Sequence, residues 1–98
     1  MARIIDIAVE EGIALAEGSA LLLAGELVAM PTETVYGLAA DATNAQAIAK
    51  IYAAKGRPAF NPLICHMSGL EMAEDHAVFS PLARTLAQAF WPGPLTLV

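Results

Sequence analysis

Two short stretches gather side chains suited to holding a charged small molecule. Lys55-Gly56-Arg57-Pro58-Ala59-Phe60-Asn61-Pro62 spaces two cations two apart around a glycine, and its prolines stiffen the segment that carries Asn61. An arginine grips phosphate through parallel N–H donors while a lysine adds a compact charge, so Lys55 and Arg57 suit the accumulated negative charge of a triphosphate. No Gly-rich Walker loop is present to do this instead. Pro31-Thr32-Glu33-Thr34-Val35-Tyr36-Gly37-Leu38 sets two hydroxyls, a carboxylate and a phenol along one polar edge able to hydrogen-bond a ligand. Each stretch has a plainer reading as well. Lys55 and Arg57 could complement the negative end of a helix dipole and face solvent, and Thr32 and Thr34 could cap the donors of a Pro-initiated turn.

Other reactive side chains carry less. His66 and His76 stand ten apart with no carboxylate or thiol at ligand spacing, so no zinc set is expected. His66, at a strand end, can touch a substrate or serve as a satisfied core histidine. Cys65 lies in an apolar run without a neighbouring base and is read as a buried, inert thiol. Trp91 could stack on a base, but Pro92 and Pro94 fit better as helix stops, with the indole packed against a sheet.

These groups need elements to place them. Apolar residues over 13–24, followed by Gly25, predict a helix ending at that glycine, with its start undefined. A short β-branched run over 26–30 reads as a buried strand delivering residues 31–34 at its C-terminal end, and 35–40 as a second strand or extended turn. Thr43 and Gln46 have capping-box spacing ahead of Ile48, Ile51 and Tyr52, which predicts a helix stopping near Lys55, where Gly56 supplies a left-handed cap and Pro58 forbids continuation. Residues 63–67 read as a strand and 70–73 as a short helix. Ser80 and Pro81 cap a last helix with Leu82, Leu86, Ala89 and Phe90 inward, and 95–98 begin another strand.

Composition sets the outer bounds. Ninety-eight residues fit one small domain at most, and 57% of them are apolar, 21 being alanine, so large core side chains are few. Charged residues are only 15%, which excludes intrinsic disorder. The longest uncharged stretches, 58–70 and 85–98, fall short of the ~18–20 residues a membrane span needs. No secretory signal is visible, and a single cysteine fits a reducing, cytoplasmic setting. The net charge of −5 opposes unguided binding to nucleic acid, although Lys50, Lys55 and Arg57 form a local cationic spot.

Taken together, the stretch from Pro31 to Leu38, Lys55-Gly56-Arg57-Pro58, Asn61-Pro62-Leu63-Ile64 and Phe90-Trp91-Pro92-Gly93-Pro94-Leu95-Thr96 resemble, in order and spacing over residues 19–98, the threonylcarbamoyl-AMP synthase family, the YrdC-like domain. The resemblance implies an α/β (α+β) architecture, a three-layer fold with a twisted mixed sheet and a concave, positively charged face. Family members run to roughly twice this length, so residues 1–98 are expected to form a single partial domain, its N-terminal half, lacking a downstream Ser-Ala-Asn-like segment.

The resemblance also implies a reaction in which L-threonine, bicarbonate and ATP give threonylcarbamoyl-adenylate and pyrophosphate, a nucleotidyl transfer that feeds threonylcarbamoyladenosine formation in tRNA through a separate transferring complex. On this reading Thr34 and His66 contact threonine, Thr32 and Tyr36 line the pocket, Arg57 and Asn61 contact ATP, and Lys55 shares the phosphate load with Arg57 in catalysis. Arg57 and Thr34 are then expected to converge on one cavity. Mg²⁺ is expected with the nucleotide, without assigned protein ligands. Two alternatives stand beside this one: a carbamoyltransferase-related domain, and a non-catalytic tRNA- or RNA-binding module using the Lys50–Arg57 cluster and Trp91.

Overall fold

In a computed structural model of the chain, residues 2–58 and 60–98 are described, and they divide into two compact units, one extending to Pro62 and the other running Leu63–Val98. The described residues form helices together with a small two-stranded sheet.

The first unit opens with helix α1, Ile7–Leu23, which begins six residues ahead of the predicted segment. Asp6 supplies the start signal, its carboxylate accepting the Ala8 N–H at 2.9 Å. The helix is bent at Glu10, whose backbone is non-helical, and none of its side chains is buried. Its exit is a Schellman motif: the Gly25 N–H donates to the Leu22 carbonyl and the Glu26 N–H to the Leu21 carbonyl, at 3.0 and 2.9 Å. Gly25 takes φ +82°, and a Cβ there would come within 2.8 Å of the Asn44 amide nitrogen, so both conformation and space demand glycine.

Strand β1, Val28–Met30, pairs antiparallel with β2, Gly37–Ala39, in the register Val28↔Ala39, Ala29↔Leu38 and Met30↔Gly37. Residues 31–36 are therefore the connection of a β-hairpin. Helix α2, Ala45–Lys55, follows. Its cap is Asn44, whose side-chain oxygen accepts the Ala47 N–H at 3.1 Å, and not the expected Thr43. Thr43 is committed elsewhere, giving both its amide (2.9 Å) and its hydroxyl (2.7 Å) to Asp41 Oδ1. Ala47 and Ile51 form the unit's buried core, with Ile48 and Tyr52 half-buried beside them, so the predicted face is the one used. Lys50 reaches back to the Gly25 carbonyl (2.9 Å) and to Glu26 (3.5 Å), tying α2 to the α1 exit.

The second unit departs further from expectation. Residues 63–67 and 95–98 form no strand, because a strand exists only through ladder bonds and neither segment has a partner among the described residues. Cys65, expected inside such a strand, is exposed in consequence. Helix α3, Leu70–Glu74, and helix α4, Pro81–Phe90, occur where the sequence predicts, α4 capped by Ser80 Oγ accepting the Ala83 N–H at 3.1 Å. The inward face of α4 differs, however: Ala87 is buried and Ala83 and Leu86 half-buried, whereas Leu82, Ala89 and Phe90 are exposed. Ala73 of α3 is the other buried residue of this unit, and an Arg84–Glu74 ion pair at 2.8 Å joins the two helices. Trp91 packs edge-on against Phe79, with ring centroids 6.2 Å apart, rather than standing as the expected cover of a sheet. Its indole N–H donates to the Leu95 carbonyl at 2.8 Å.

Candidate functional site

The bend that follows α2 is held by several hydrogen bonds among the described residues. Its geometry starts in the backbone. Gly56 takes φ +61°, its N–H donates to the Ala53 carbonyl (3.4 Å), and the Arg57 N–H donates to the Tyr52 carbonyl (3.0 Å), a second Schellman motif. Arg57 thus occupies a position set by how the helix ends. Beyond it, the Asn61 N–H donates to the Pro58 carbonyl at 3.0 Å, and the Tyr52 hydroxyl donates to the Asn61 carbonyl at 2.6 Å. Arg57 Nη2 donates to the Pro62 carbonyl at 2.9 Å, so the guanidinium folds over its own loop.

This fold engages part of the guanidinium's donor set. Nε is buried and has no hydrogen-bond partner among the described residues, and one N–H of Nη2 is taken by Pro62. An anion would meet the Nη1/Nη2 end of the fork rather than the Nε side. Lys55 is exposed at the last helical position, beside the carbonyl-rich end of α2. The other cations are engaged: Arg3 with Glu17 at 3.2 Å, Lys50 with Glu26, and Arg84 with Glu74. Among the described residues, Lys55 and Arg57 are the basic side chains that form no ion pair.

The hairpin connection presents Thr32, Thr34 and Tyr36, all exposed, Tyr36 at 77%. Thr32 Oγ1 organises it. That hydroxyl accepts the Thr34 and Val35 N–H groups, both at 3.2 Å, and also donates to the Val35 carbonyl. The capping reading therefore describes Thr32, while the Thr34 hydroxyl makes only a 3.4 Å approach to Thr32 Oγ1 and faces solvent. Gly37, where the second strand starts, lies against the Thr32 methyl, which a Cβ would approach to 3.6 Å.

Thr32, Thr34, Tyr36, Lys55, Arg57 and Asn61 all belong to the first unit; His66 belongs to the second, where it is exposed and its Nδ1 lies 3.3 Å from the Ile64 carbonyl. Two open depressions lie in the second unit, one beside Ser68 and Met72 and one beside Phe79 and Arg84, and neither includes a candidate residue. No three His, Cys, Asp or Glu side chains gather as a metal site among the described residues. Asp41 has its carboxyl held below the ordinary range by the Thr43 hydroxyl and amide bonds.

A family model described as "Telomere recombination", the Sua5/YciO/YrdC domain, matches residues 20–98. The chain belongs to this family. It is 53% identical over 85 residues to the threonylcarbamoyl-AMP synthase of Bacillus subtilis, covering 86% of this chain and 25% of that protein. To the protein of the same name from Pyrococcus abyssi it is 57% identical over 75 residues, 76% of this chain and 22% of the relative. To the putative threonylcarbamoyl-AMP synthase of Mycobacterium tuberculosis it is 43% identical over 88 residues, 89% of this chain and 40% of the relative. The chain spans less than half the length of these Sua5/YciO/YrdC relatives. No solved structure gives a significant match. The family match runs through both units and includes the hairpin connection and the cationic bend.

Tyr52 is the residue that sequence reasoning passed over. Its helical spacing with Ile48 marks it as core, and its half-buried ring satisfies that reading, but its hydroxyl is what fastens Asn61. The available signal was chemical: a tyrosine in a core position needs a partner for its hydroxyl, and the nearest unpaired carbonyls follow the helix end.

Proposed function

We propose that this chain carries the nucleotide- and threonine-facing part of a threonylcarbamoyl-adenylate synthase. The observation that carries the reading is the pair Lys55 and Arg57: two basic side chains without ion-pair partners among the described residues, one at a helix exit and one in a hydrogen-bonded bend, within a family whose relatives bear that enzyme's name. In this reaction bicarbonate and the amine of threonine give a carbamate with loss of water, and a carbamate oxygen attacks the α-phosphorus of ATP as the bond to pyrophosphate breaks. The nucleophile belongs to the substrate, so the protein's task is orientation and charge stabilisation.

In that scheme the Arg57 guanidinium and the Lys55 ammonium balance charge on the phosphates, Asn61 adds polar contacts to the nucleotide, and Thr34 contacts threonine. Tyr36 lines the pocket and Thr32 shapes the turn that bears Thr34. The product would serve threonylcarbamoyladenosine formation in tRNA, carried out by a separate transferring complex in the cytoplasm.

The test is pyrophosphate release. Turnover that requires both threonine and bicarbonate, and that Arg57→Ala lowers at least about tenfold, supports the assignment, because an arginine bound to a developing phosphate charge carries effects of that order. Turnover indifferent to threonine, or RNA affinity that persists without ATP and threonine, would count against it. The RNA-binding reading gains nothing from the geometry: Lys50 is paired with Glu26 and Gly25, and the Trp91 ring is half-buried against Phe79.

A further inference from the structure

We infer that Tyr52 is a positioning residue for the cationic bend, holding both ends of it from one helical turn. Two independent bonds meet at this residue. Its backbone carbonyl receives the Arg57 N–H at 3.0 Å and its phenol donates to the Asn61 carbonyl at 2.6 Å. The first bond is helix termination and any residue at position 52 would provide it. The second depends on a side chain that reaches from the helix across the loop with a donor at its tip, and among the twenty residues that describes tyrosine well. The ring is half-buried next to the core residue Ile51, so the hydroxyl is delivered from a fixed body rather than from a mobile stem.

The consequence is a division of labour within the bend. Arg57 is placed by the backbone, Asn61 by the Tyr52 phenol on its carbonyl together with its own N–H bond to the Pro58 carbonyl at 3.0 Å, and the Arg57–Pro62 bond joins the two sides. Removing the phenol oxygen should leave Arg57 rooted and release the far side of the loop. Tyr52 itself touches no reacting atom in this scheme. Its link to nucleotide binding rests on the function proposed above, whereas its hold on the loop does not.

The experiment is Tyr52→Phe in the full 98-residue chain, which keeps the packed ring and deletes only the donor. Nitrogen relaxation should show the order parameter of the Asn61 amide falling toward the values below about 0.6 typical of flexible backbone, while that of Arg57 stays near the ~0.85 of rigid backbone. The ATP dissociation constant by calorimetry should rise about three- to tenfold, the size of one hydrogen bond of ordinary net strength. Helix content and thermal midpoint serve as the check that the fold is retained. An Asn61 amide as ordered in the variant as in the parent would overturn the inference, as would equal loosening of Arg57 and Asn61, which marks a general structural defect. A parent chain that takes up no ATP would overturn the nucleotide reading alone, and the relaxation data would still decide the role of Tyr52.

Discussion

The seating of α2 against the exit of α1 can be measured through Gly25→Ala. Two costs add at this position. At φ +82° an alanine meets the left-handed penalty of about 1–2 kcal/mol. Its methyl would also lie 2.8 Å from the Asn44 amide nitrogen, on a short side chain held in place by its cap bond to Ala47, so the cap must be displaced at a further cost of about 1 kcal/mol. The total is about 2–3 kcal/mol. Gly56→Ala provides the control: φ is +61° there but nothing lies within 4 Å of a Cβ, so only the conformational cost of about 1–2 kcal/mol applies. Asn44→Ala removes the clashing atom in advance, and in that background Gly25→Ala should cost no more than Gly56→Ala. Urea unfolding followed by circular dichroism reads all four variants, and the cycle should show a coupling of about 1 kcal/mol between positions 25 and 44. Strict additivity of the two substitutions, or a larger loss at Gly56 than at Gly25, would refute the reasoning.

Three further outcomes are expected. Thr43→Val removes the hydroxyl that is the main cause of the lowered Asp41 pKa, so the carboxyl should titrate closer to its ordinary value of 3.8, yet remain below it because the Thr43 amide bond persists. Since the folded value is depressed, this contribution to stability is present above the ordinary value and is lost as the pH falls through the folded one; an unmoved midpoint in a carboxyl NMR titration would contradict the assignment. Thr32→Val should loosen the Thr34 and Val35 amides in relaxation measurements while Thr32→Ser retains them, because both amides use the Thr32 hydroxyl as acceptor. Cys65 should react with a thiol reagent in the folded chain nearly as fast as in urea, and strong protection would show that it is covered after all.

What could be read from the residues was local. The end of α2 was legible because Gly56 and Pro58 are backbone statements independent of what packs around them, and the start of α4 was legible for the same reason in Ser80 and Pro81. The two strands were visible as apolar runs at 26–30 and 35–40, the second left open as a strand or an extended turn; both proved shorter than the runs, and their antiparallel pairing was not read from the residues. Elements that depend on distant partners were not legible. The runs at 63–67 and 95–98 have β-prone composition but no ladder among the described residues, and the burial of Cys65 failed with the strand that was to contain it. On α4 the expected inward face was Leu82, Leu86, Ala89 and Phe90, of which only Leu86 is half-buried; the buried position is Ala87, and on α3 it is Ala73, in helices that an ion pair also joins. The shift of the α2 cap from Thr43 to Asn44 has a similar origin: Asp41 competes for the threonine hydroxyl, and that competition is invisible to a spacing rule.

On the function proposed above, the unequal commitment of the basic side chains bears on which phosphates would be held. Two uncompensated cations two residues apart act within roughly 8–10 Å, the Debye length at physiological salt. A mononucleotide fits inside that radius and experiences the attraction in full. A long polyanion extends beyond it into the surroundings of a chain whose formal charge is −5, where each additional phosphate meets repulsion instead. On that proposal, discrimination by ligand length is expected without any dedicated barrier.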